Sequence, residues 1–330
     1  MSRKILITGG CGFIGSHIIE HILKTTDWEI FTLDKLTYAA RGFDRVREIN
    51  AYDDKRVTFF TADMTQPLSS GIKQEMKGVN FIYHLAAETH VDNSIVDPIK
   101  FVRANVLGTT YMLEFARQCD NLEAFNYFGT DEVFGPAPPG VAYKEWDRYD
   151  SGNPYSAAKA GGEEMCLAYA NTYGLPIYIS HCMNAFGERQ HPEKFIPICI
   201  RKILRGEKII IHGDKTRTKA GSRFYIHARN IADAVMFLTN NYTQRDKYNI
   251  VGEKELSNLE LAQLIADIMH RPLDYEIMDF HSSRPGHDMR YALDGTKMKE
   301  LGWEPPVTIE KSLEKVVNWT LANPKWLYDD

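Results

Sequence analysis

The sequence predicts an α/β protein: a Rossmann-type doubly wound parallel sheet with a smaller C-terminal substrate-binding lobe. Three observations predict it. Through the first half of the 330 residues, short continuous apolar runs alternate with helical patterns, as in parallel sheets covered on both faces. A glycine-rich turn follows the first run. After about Asn184 the elements become shorter and less regular.

The first run, KILIT, opens the stretch ILITGGCGFIGSHI, in which Gly9, Gly12 and Gly15 stand in GxxGxxG spacing between a strand and a helix. Missing side chains there permit a tight turn, close backbone approach to a pyrophosphate, and close helix–strand packing. The helix N-terminus adds amide donors and the positive end of its dipole. The second run, EIFTLD, ends in Asp34, about 20 residues on, where a carboxylate bonds a ribose 2′-hydroxyl. Asp34 would repel a 2′-phosphate, so NAD is expected rather than NADP; Lys35 beside it points the other way. The third run, VTFFTAD, ends in Asp63, which either reaches the adenine or is a solvated strand end. The helix after the glycines contains HIIEH, His17 to His21, the HxxEH spacing of a zinc protease family. It must pack on the sheet while its start faces the cofactor, so no metal is expected and the two histidines read as ordinary helix residues.

The runs VNFIYHLAA and AFNYFGT are the next strands, with a helix around FVRANVLGTTYMLEFARQC whose apolar positions are Phe101, Val102, Val106, Met112, Leu113 and Phe115. AFNYFGT leads directly into Asp131 and Glu132. Adjacent strand residues face opposite ways, so two neighbouring acids serve one site only where the strand ends and the chain turns. Carboxyl ends of strands are where such sheets bind ligands; the alternative is a pair of solvated turn carboxylates. Next, NPYSAAKAGGEEM sets Tyr155 and Lys159 on one helix face. A nearby ammonium favours the phenolate, suiting the tyrosine to take a proton from a hydroxyl while hydride leaves its carbon. YxxxK alone is often only helix surface, but after an NAD-type loop it reads as a catalytic pair. PIYISHC is the last strand of the first half. Beyond it come a strand-like KIIIH, a polar GDKTRTKAGSR, and helices near IADAVMFLT, LELAQLIADIM and IEKSLEKVVNWTL. The expected division is 1–183 for the NAD-binding domain and 184–330 for the substrate-binding lobe, with part of 222–250 returning to the first.

Composition narrows the class. A net charge of -5 with interspersed signs gives no basic stripe for a phosphate backbone, so nucleic acid is not an expected partner. The opening residues lack the apolar stretch and cleavage site of a signal peptide, and no run reaches the roughly 20 apolar residues of a membrane span. Five cysteines without a CxxC pair indicate a reduced, cytoplasmic protein. The triplets at Asn241 and Asn318 therefore read as chance rather than glycan acceptors.

Taken together, TGGCGFIGS, YHLAAETHVDNS, GTDEVFG, NPYSAAKA, HPEKFIP and RPGHDMRY resemble the extended short-chain dehydrogenase/reductase family and, within it, the nucleoside-diphosphate-glucose 4,6-dehydratases, closest to those acting on dTDP-glucose. The resemblance covers nearly the whole chain, and the Thr-Asp-Glu trio is its most diagnostic part. It implies that Thr130 assists C4 oxidation, Asp131 protonates the departing C6 hydroxyl and Glu132 removes the C5 proton, alongside Tyr155 and Lys159. It implies an NAD site of Gly9, Gly12, Phe13, Ile14, Gly15, Asp34, Lys35, Asp63, Leu85, Ala86, Ala87, Tyr155 and Lys159. It implies that His90, Asn184, Glu193, Lys194, Arg223, Arg284 and His287 grip a nucleotide-sugar substrate, and that the protein is a homodimer. Gly129, Ala185 and Phe224 depart from the usual serine, asparagine and aspartate, and the loop before Arg223 is longer than usual. A UDP-glucose 4,6-dehydratase, an epimerase or decarboxylase, and a non-catalytic NAD-sensing protein are the rival readings.

Overall fold

Six of the seven strands of the main sheet are buried on both faces, Val57–Thr61 at its edge being partly exposed, and parallel pairing satisfies their backbones. The computed structural model describes residues 2–279 and 289–328. Its strands are β1 (Lys4–Thr8), β2 (Glu29–Asp34), β3 (Val57–Thr61), β4 (Phe81–His84), β5 (Ala124–Thr130), β6 (Ile177–Cys182), β7 (Asn184–Phe186), β8 (Ile209–Gly213), β9 (Ser222–His227), β10 (Lys247–Ile250), β11 (Glu255–Ser257) and β12 (Tyr275–Asp279). The helices between them are α1 (Phe13–Thr25), α2 (Asp44–Glu48), α3 (Ser70–Met76), α4 (Val91–Val96), α5 (Pro98–Val102), α6 (Gly108–Ala116), α7 (Pro154–Tyr173), α8 (Phe195–Arg205), α9 (Ala228–Asn241), α10 (Asn258–Ile268), α11 (Thr296–Glu300) and α12 (Ile309–Ala322).

The main sheet runs β10-β6-β5-β4-β1-β2-β3, every pair parallel. It is the doubly wound Rossmann-type fold. One face is covered by apolar residues of α1 and α9 around Ile18, Ile22, Val235 and Leu238. The other is covered by α3, α6 and α7 around Met76, Met112, Leu113 and Cys166. Strand order reverses between β1 and β4, which leaves a crevice at their carboxyl ends. The remaining strands form a β11-β9-β7 sheet and a β12-β8 pair. These pack with α8, α10 and α12 around a separate core containing Ile200, Ile211, Leu261 and Val316.

The helix expected around FVRANVLGTTYMLEFARQC is not continuous. Between α5 and α6 lies a π turn, Arg103–Leu107. The wider turn shifts the face each residue presents, so Phe101 and Met112 are buried while Val102 and Leu107 are exposed. It also turns the buried Asn105 toward the loop after β4, where Oδ1 accepts from Glu88 N at 2.9 Å and Nδ2 donates to Glu88 O at 3.0 Å.

α7 crosses this turn at very short range. A Cβ at Gly162 would lie 2.3 Å from Asn105 O and 2.6 Å from the Tyr127 hydroxyl, and both partners are held by the packed interior. Gly162→Ala should therefore lower the unfolding free energy by about 1–3 kcal/mol, the usual range for overpacking, read as a drop in denaturant midpoint. An unchanged midpoint would mean that α7 does not sit this close to β5.

Candidate active site

The crevice opens into a cleft of about 960 Å³ between the main sheet and the second core. Its floor begins at the glycine turn. Gly9 has φ +73, and a Cβ there would lie 3.0 Å from the Ala86 backbone; a Cβ at Gly15 would lie 2.3 Å from Gly9 O. The turn is thus closed tightly enough that backbone, not side chains, faces the cleft. Asp34 ends β2 and reaches back to it, Oδ2 accepting from Cys11 N at 3.0 Å and Oδ1 from Leu36 N at 2.8 Å. Burial raises the Asp34 pKa, and these backbone donors oppose it. Lys35 pairs with Asp63 at 2.6 Å, so the lysine's charge is neutralised by the acid at the end of the third run. The opposite wall is held by a relay: Thr8 Oγ1 bonds His84 Nδ1 at 2.8 Å, His84 Nε2 bonds Thr109 Oγ1 at 3.0 Å, and Ala86 N donates to Thr8 Oγ1 at 3.2 Å. Burial, with the Lys159 charge, pushes His84 down to about 3, leaving a neutral ring that fixes the wall.

Gly9, Gly12, Phe13, Ile14, Gly15, Asp34, Lys35, Asp63, Leu85, Ala86 and Ala87 all line this half of the cleft. The residues fit a dinucleotide. A glycine cradle that a Cβ would fill, an acid at the end of β2 and the amides opening α1 meet in one groove. Arg45, which also lines it, has a buried Nη2 without a partner.

β5 carries the other half. Its last residue, Thr130, caps a 3₁₀ turn, Asp131–Phe134, accepting from Glu132 N at 3.4 Å. Both acids thereby leave the strand and face the cleft. Thr130 Oγ1 donates to Asp131 Oδ1 at 3.1 Å and hydrogen-bonds the Tyr155 hydroxyl. Asp131 is buried with Oδ2 unpartnered. Burial raises its pKa to about 6, against the pull of Arg223 and of its hydrogen bonds. Glu132 accepts from Asn153 Nδ2 at 3.2 Å, and Asn153 also forms the capping box that starts α7.

Tyr155 and Lys159 lie one turn apart on α7, both buried. The expectation that the ammonium favours the phenolate is not met. Lys159 Nζ donates to Phe128 O at 2.7 Å and lies 4.2 Å from the Tyr127 ring centroid. Burial first, and then the Glu132 carboxylate, hold the Tyr155 pKa above its usual range, with the Thr130 hydroxyl opposing them. Burial likewise lowers Lys159 to about 8.

His90, Asn184, Glu193, Lys194 and Arg223 reach the same cleft, and Asn184 Oδ1 is buried without a partner. Arg223 stacks on Tyr291, 4.6 Å from the ring centroid. Arg284 and His287 lie outside the described residues. Gln190, His191, His212, Tyr225, Asn258 and Tyr291 also line the cleft and were not expected. Asn258 had a sequence signal: SNLE is a capping box, with Ser257 and Glu260 bonding reciprocally, and it sets Asn258 at a helix start, where Oδ1 accepts from Tyr225 OH at 2.5 Å. One departure has a local reason: Phe224 packs with the apolar cluster around Phe134 and Tyr291. His17 lies within α1, buried and bonded to Glu188 O at 3.1 Å, while Glu20 takes Arg189 at 2.8 Å. Among the described residues no group of three or more His, Cys, Asp or Glu is placed to hold a metal.

The family described as GDP-mannose 4,6 dehydratase matches residues 6–316. A dTDP-glucose 4,6-dehydratase of Escherichia coli is 35% identical over 98% of this chain and 94% of its own, and one of Neisseria meningitidis is 34% identical over 98% and 95%. The crystal structure of a dTDP-glucose 4,6-dehydratase from Streptomyces venezuelae, with NAD and dTDP bound, superposes with a TM-score of 0.87 at 33% identity, covering 98% of both chains. A UDP-glucose 4-epimerase from Thermus thermophilus, in complex with NAD, gives a TM-score of 0.83 at 26% identity over 96% of this chain and 98% of its own.

The raised Asp131 pKa has a stability consequence. A folded-state value near 6 against 3.8 unfolded means the group's contribution to stability is fully present below the unfolded value and is lost as pH rises through the folded one. Asp131→Asn should therefore gain stability relative to wild type on going from pH about 4 to about 7, measured by denaturant titration at both. Parallel pH profiles would show that Asp131 is not desolvated.

Proposed function

This chain belongs to the GDP-mannose 4,6-dehydratase family of extended short-chain dehydrogenases, and on that premise we propose that it is an NAD-dependent dTDP-glucose 4,6-dehydratase forming dTDP-4-keto-6-deoxyglucose. The observation that carries this reading is the placement of Asp131 and Glu132 beside Tyr155 at the end of β5. An epimerase or decarboxylase has no task for two acids there.

Bound NAD supplies the acceptor for the hydride that leaves C4 and the donor of that hydride to C6. Tyr155 takes the C4 hydroxyl proton, and once Asp131 is protonated the Thr130 hydroxyl no longer donates to it and can donate to the resulting phenolate. The ketone at C4 acidifies the C5 hydrogen, and Glu132, oriented by Asn153, removes it. Asp131 gives its proton to the C6 hydroxyl, which leaves as water, and a conjugated enone results. An acid near 6 suits a proton donor close to neutral pH. Arg223, Lys194 and Asn184 hold the diphosphate and sugar, the cations by charge-assisted bonds. Residues 1–183 are the cofactor half and 184–330 the sugar-nucleotide half, with part of 222–250 serving the first.

We take the protein as a cytoplasmic homodimer. Its cysteines are free, and no described helix is long and apolar enough to cross a membrane. Ile95, Val96, Ile99, Val102 and Leu107, on α4, α5 and the π turn, are exposed, Val96 by 86%. We take these neighbouring exposed apolar side chains as the interface.

The order of events is testable by isotope. Glucose nucleotide deuterated at C4 should give product deuterated at C6, and in heavy water the C5 hydrogen should come from solvent. With Glu132→Gln, elimination should stall after oxidation, so reduced cofactor accumulates under substrate and little 4-keto-6-deoxy product forms. Label retained at C4, or an unimpaired Gln variant, would refute the roles assigned to the two acids.

A further inference from the structure

Behind the acids, away from the cleft, lies a second cluster of titratable groups that the mechanism does not use. Glu163, one turn beyond Lys159 on α7, is fully buried. Its Oε1 pairs with Lys247 Nζ at 2.9 Å and accepts from the Tyr149 hydroxyl; its Oε2 meets His181 Nε2 at 3.0 Å. The other ring nitrogen of His181 faces Asn249 Oδ1 at 3.2 Å. That amide is fixed by its own bonds, since Nδ2 donates to Tyr143 O at 3.0 Å and Asp294 O at 3.1 Å. Both ring nitrogens thus face side-chain oxygens that fix the ring in place.

The clamped ring touches the active strand. Gly129 pairs with His181 across β5 and β6, and a Cβ at Gly129 would lie 2.8 Å from His181 Cδ2. Gly129 stands between Phe128, whose carbonyl holds Lys159, and Thr130. Past the acids, the Phe134 ring packs edge-on against His181 at 5.0 Å. The imidazole therefore supports the 128–134 segment from below on both sides of Thr130 and Asp131.

We propose that His181 is a positioning residue for the dehydration step, its ring filling the space left by Gly129 and seating Phe134, and that Gly129 and His181 act as one coupled pair. The inference rests on the roles assigned above to Thr130 and Asp131. It also accounts for glycine at a position where the resemblance led one to expect serine.

The test is a double-mutant cycle with Gly129→Ala, His181→Ala and both, assayed for dTDP-glucose turnover. Gly129→Ala should lower kcat by about 10²-fold, the scale set by a small misplacement of reacting groups, with KM little changed, because the groups gripping the nucleotide stand elsewhere. In the double variant the added methyl has room, and kcat should return to that of His181→Ala alone. Where Gly129→Ala alone does not fold, recovery of its melting temperature in the double variant reports the same coupling. Glu163→Gln keeps side-chain shape while loosening the clamp, and should lower kcat several-fold without raising KM. Losses that multiply independently, a Gly129→Ala enzyme with wild-type kcat, or a Glu163→Gln enzyme with wild-type kcat would overturn the role of His181 alone. A wild-type protein that does not turn over dTDP-glucose would overturn the assignment of Thr130 and Asp131 themselves.

Discussion

The bond from Lys159 Nζ to Phe128 O, 2.7 Å long and fully buried, is the constraint on which the site depends. It joins the helix that carries Tyr155 to the strand that carries Thr130. A buried ammonium without a partner would cost several kcal/mol or lose its proton, so α7 docks only where that carbonyl is available. The Tyr127 hydroxyl completes the joint by donating to Lys159 O at 2.9 Å. Once strand and helix are locked, the Tyr155 hydroxyl, the Thr130 hydroxyl and the Asp131 carboxylate come within one hydrogen-bonded chain. The small residues of α7, above all Gly162, follow from the same demand for close approach.

Buried charge is the second theme, and it is handled by pairing. Burial alone would raise Glu163, yet His181, Lys247 and Tyr149 together hold it down to about 2, a fully satisfied network of the kind that gives rigidity where a half-satisfied one would give strain. Arg45 is treated differently. Its Nε and Nη1 donate to backbone carbonyls of Arg189, Ala39 and Ala40 at 2.6–2.8 Å, and its guanidinium lies 5.5 Å from the Trp326 ring. That one side chain ties the cofactor half, the turn after β6–β7 and the C-terminal segment together.

Much of this was legible in the sequence, for identifiable reasons. Five of the first six strands are largely apolar runs because both their faces are covered, the edge strand β3 being the exception, and the glycine turn and Asp34 announce themselves by spacing. Strand β10, KYNI, did not stand out. Its Lys247 and Asn249 look like surface residues and are buried only because Glu163, His181 and the Tyr143 carbonyl, distant in sequence, receive them. Strands β7 and β11 have three residues each, too few for any periodicity. The π turn was hidden because its cause is the tertiary demand that Asn105 meet Glu88. The electrostatics of Tyr155 were misjudged for a related reason: spacing put a lysine on its face of the helix, but a carbonyl on β5 claims that ammonium, and Glu132 and Asp131, distant in sequence, bear on the phenol instead.

Those acids give the site an internal logic. Glu132 and Asp131 both raise the Tyr155 pKa, so an ionised Asp131 opposes the phenolate that C4 deprotonation needs. In the proposed mechanism, protonating Asp131 removes one of the two opposing charges and at the same time loads the proton for the C6 hydroxyl. Burial, which puts the Asp131 pKa near 6, therefore favours one protonation state for both halves of the reaction. Arg223 bears on the same balance, since its charge draws Asp131 toward ionisation. In the proposed mechanism a diphosphate on Arg223 would offset that charge and leave Asp131 readier to hold its proton, coupling substrate binding to the arming of the acid.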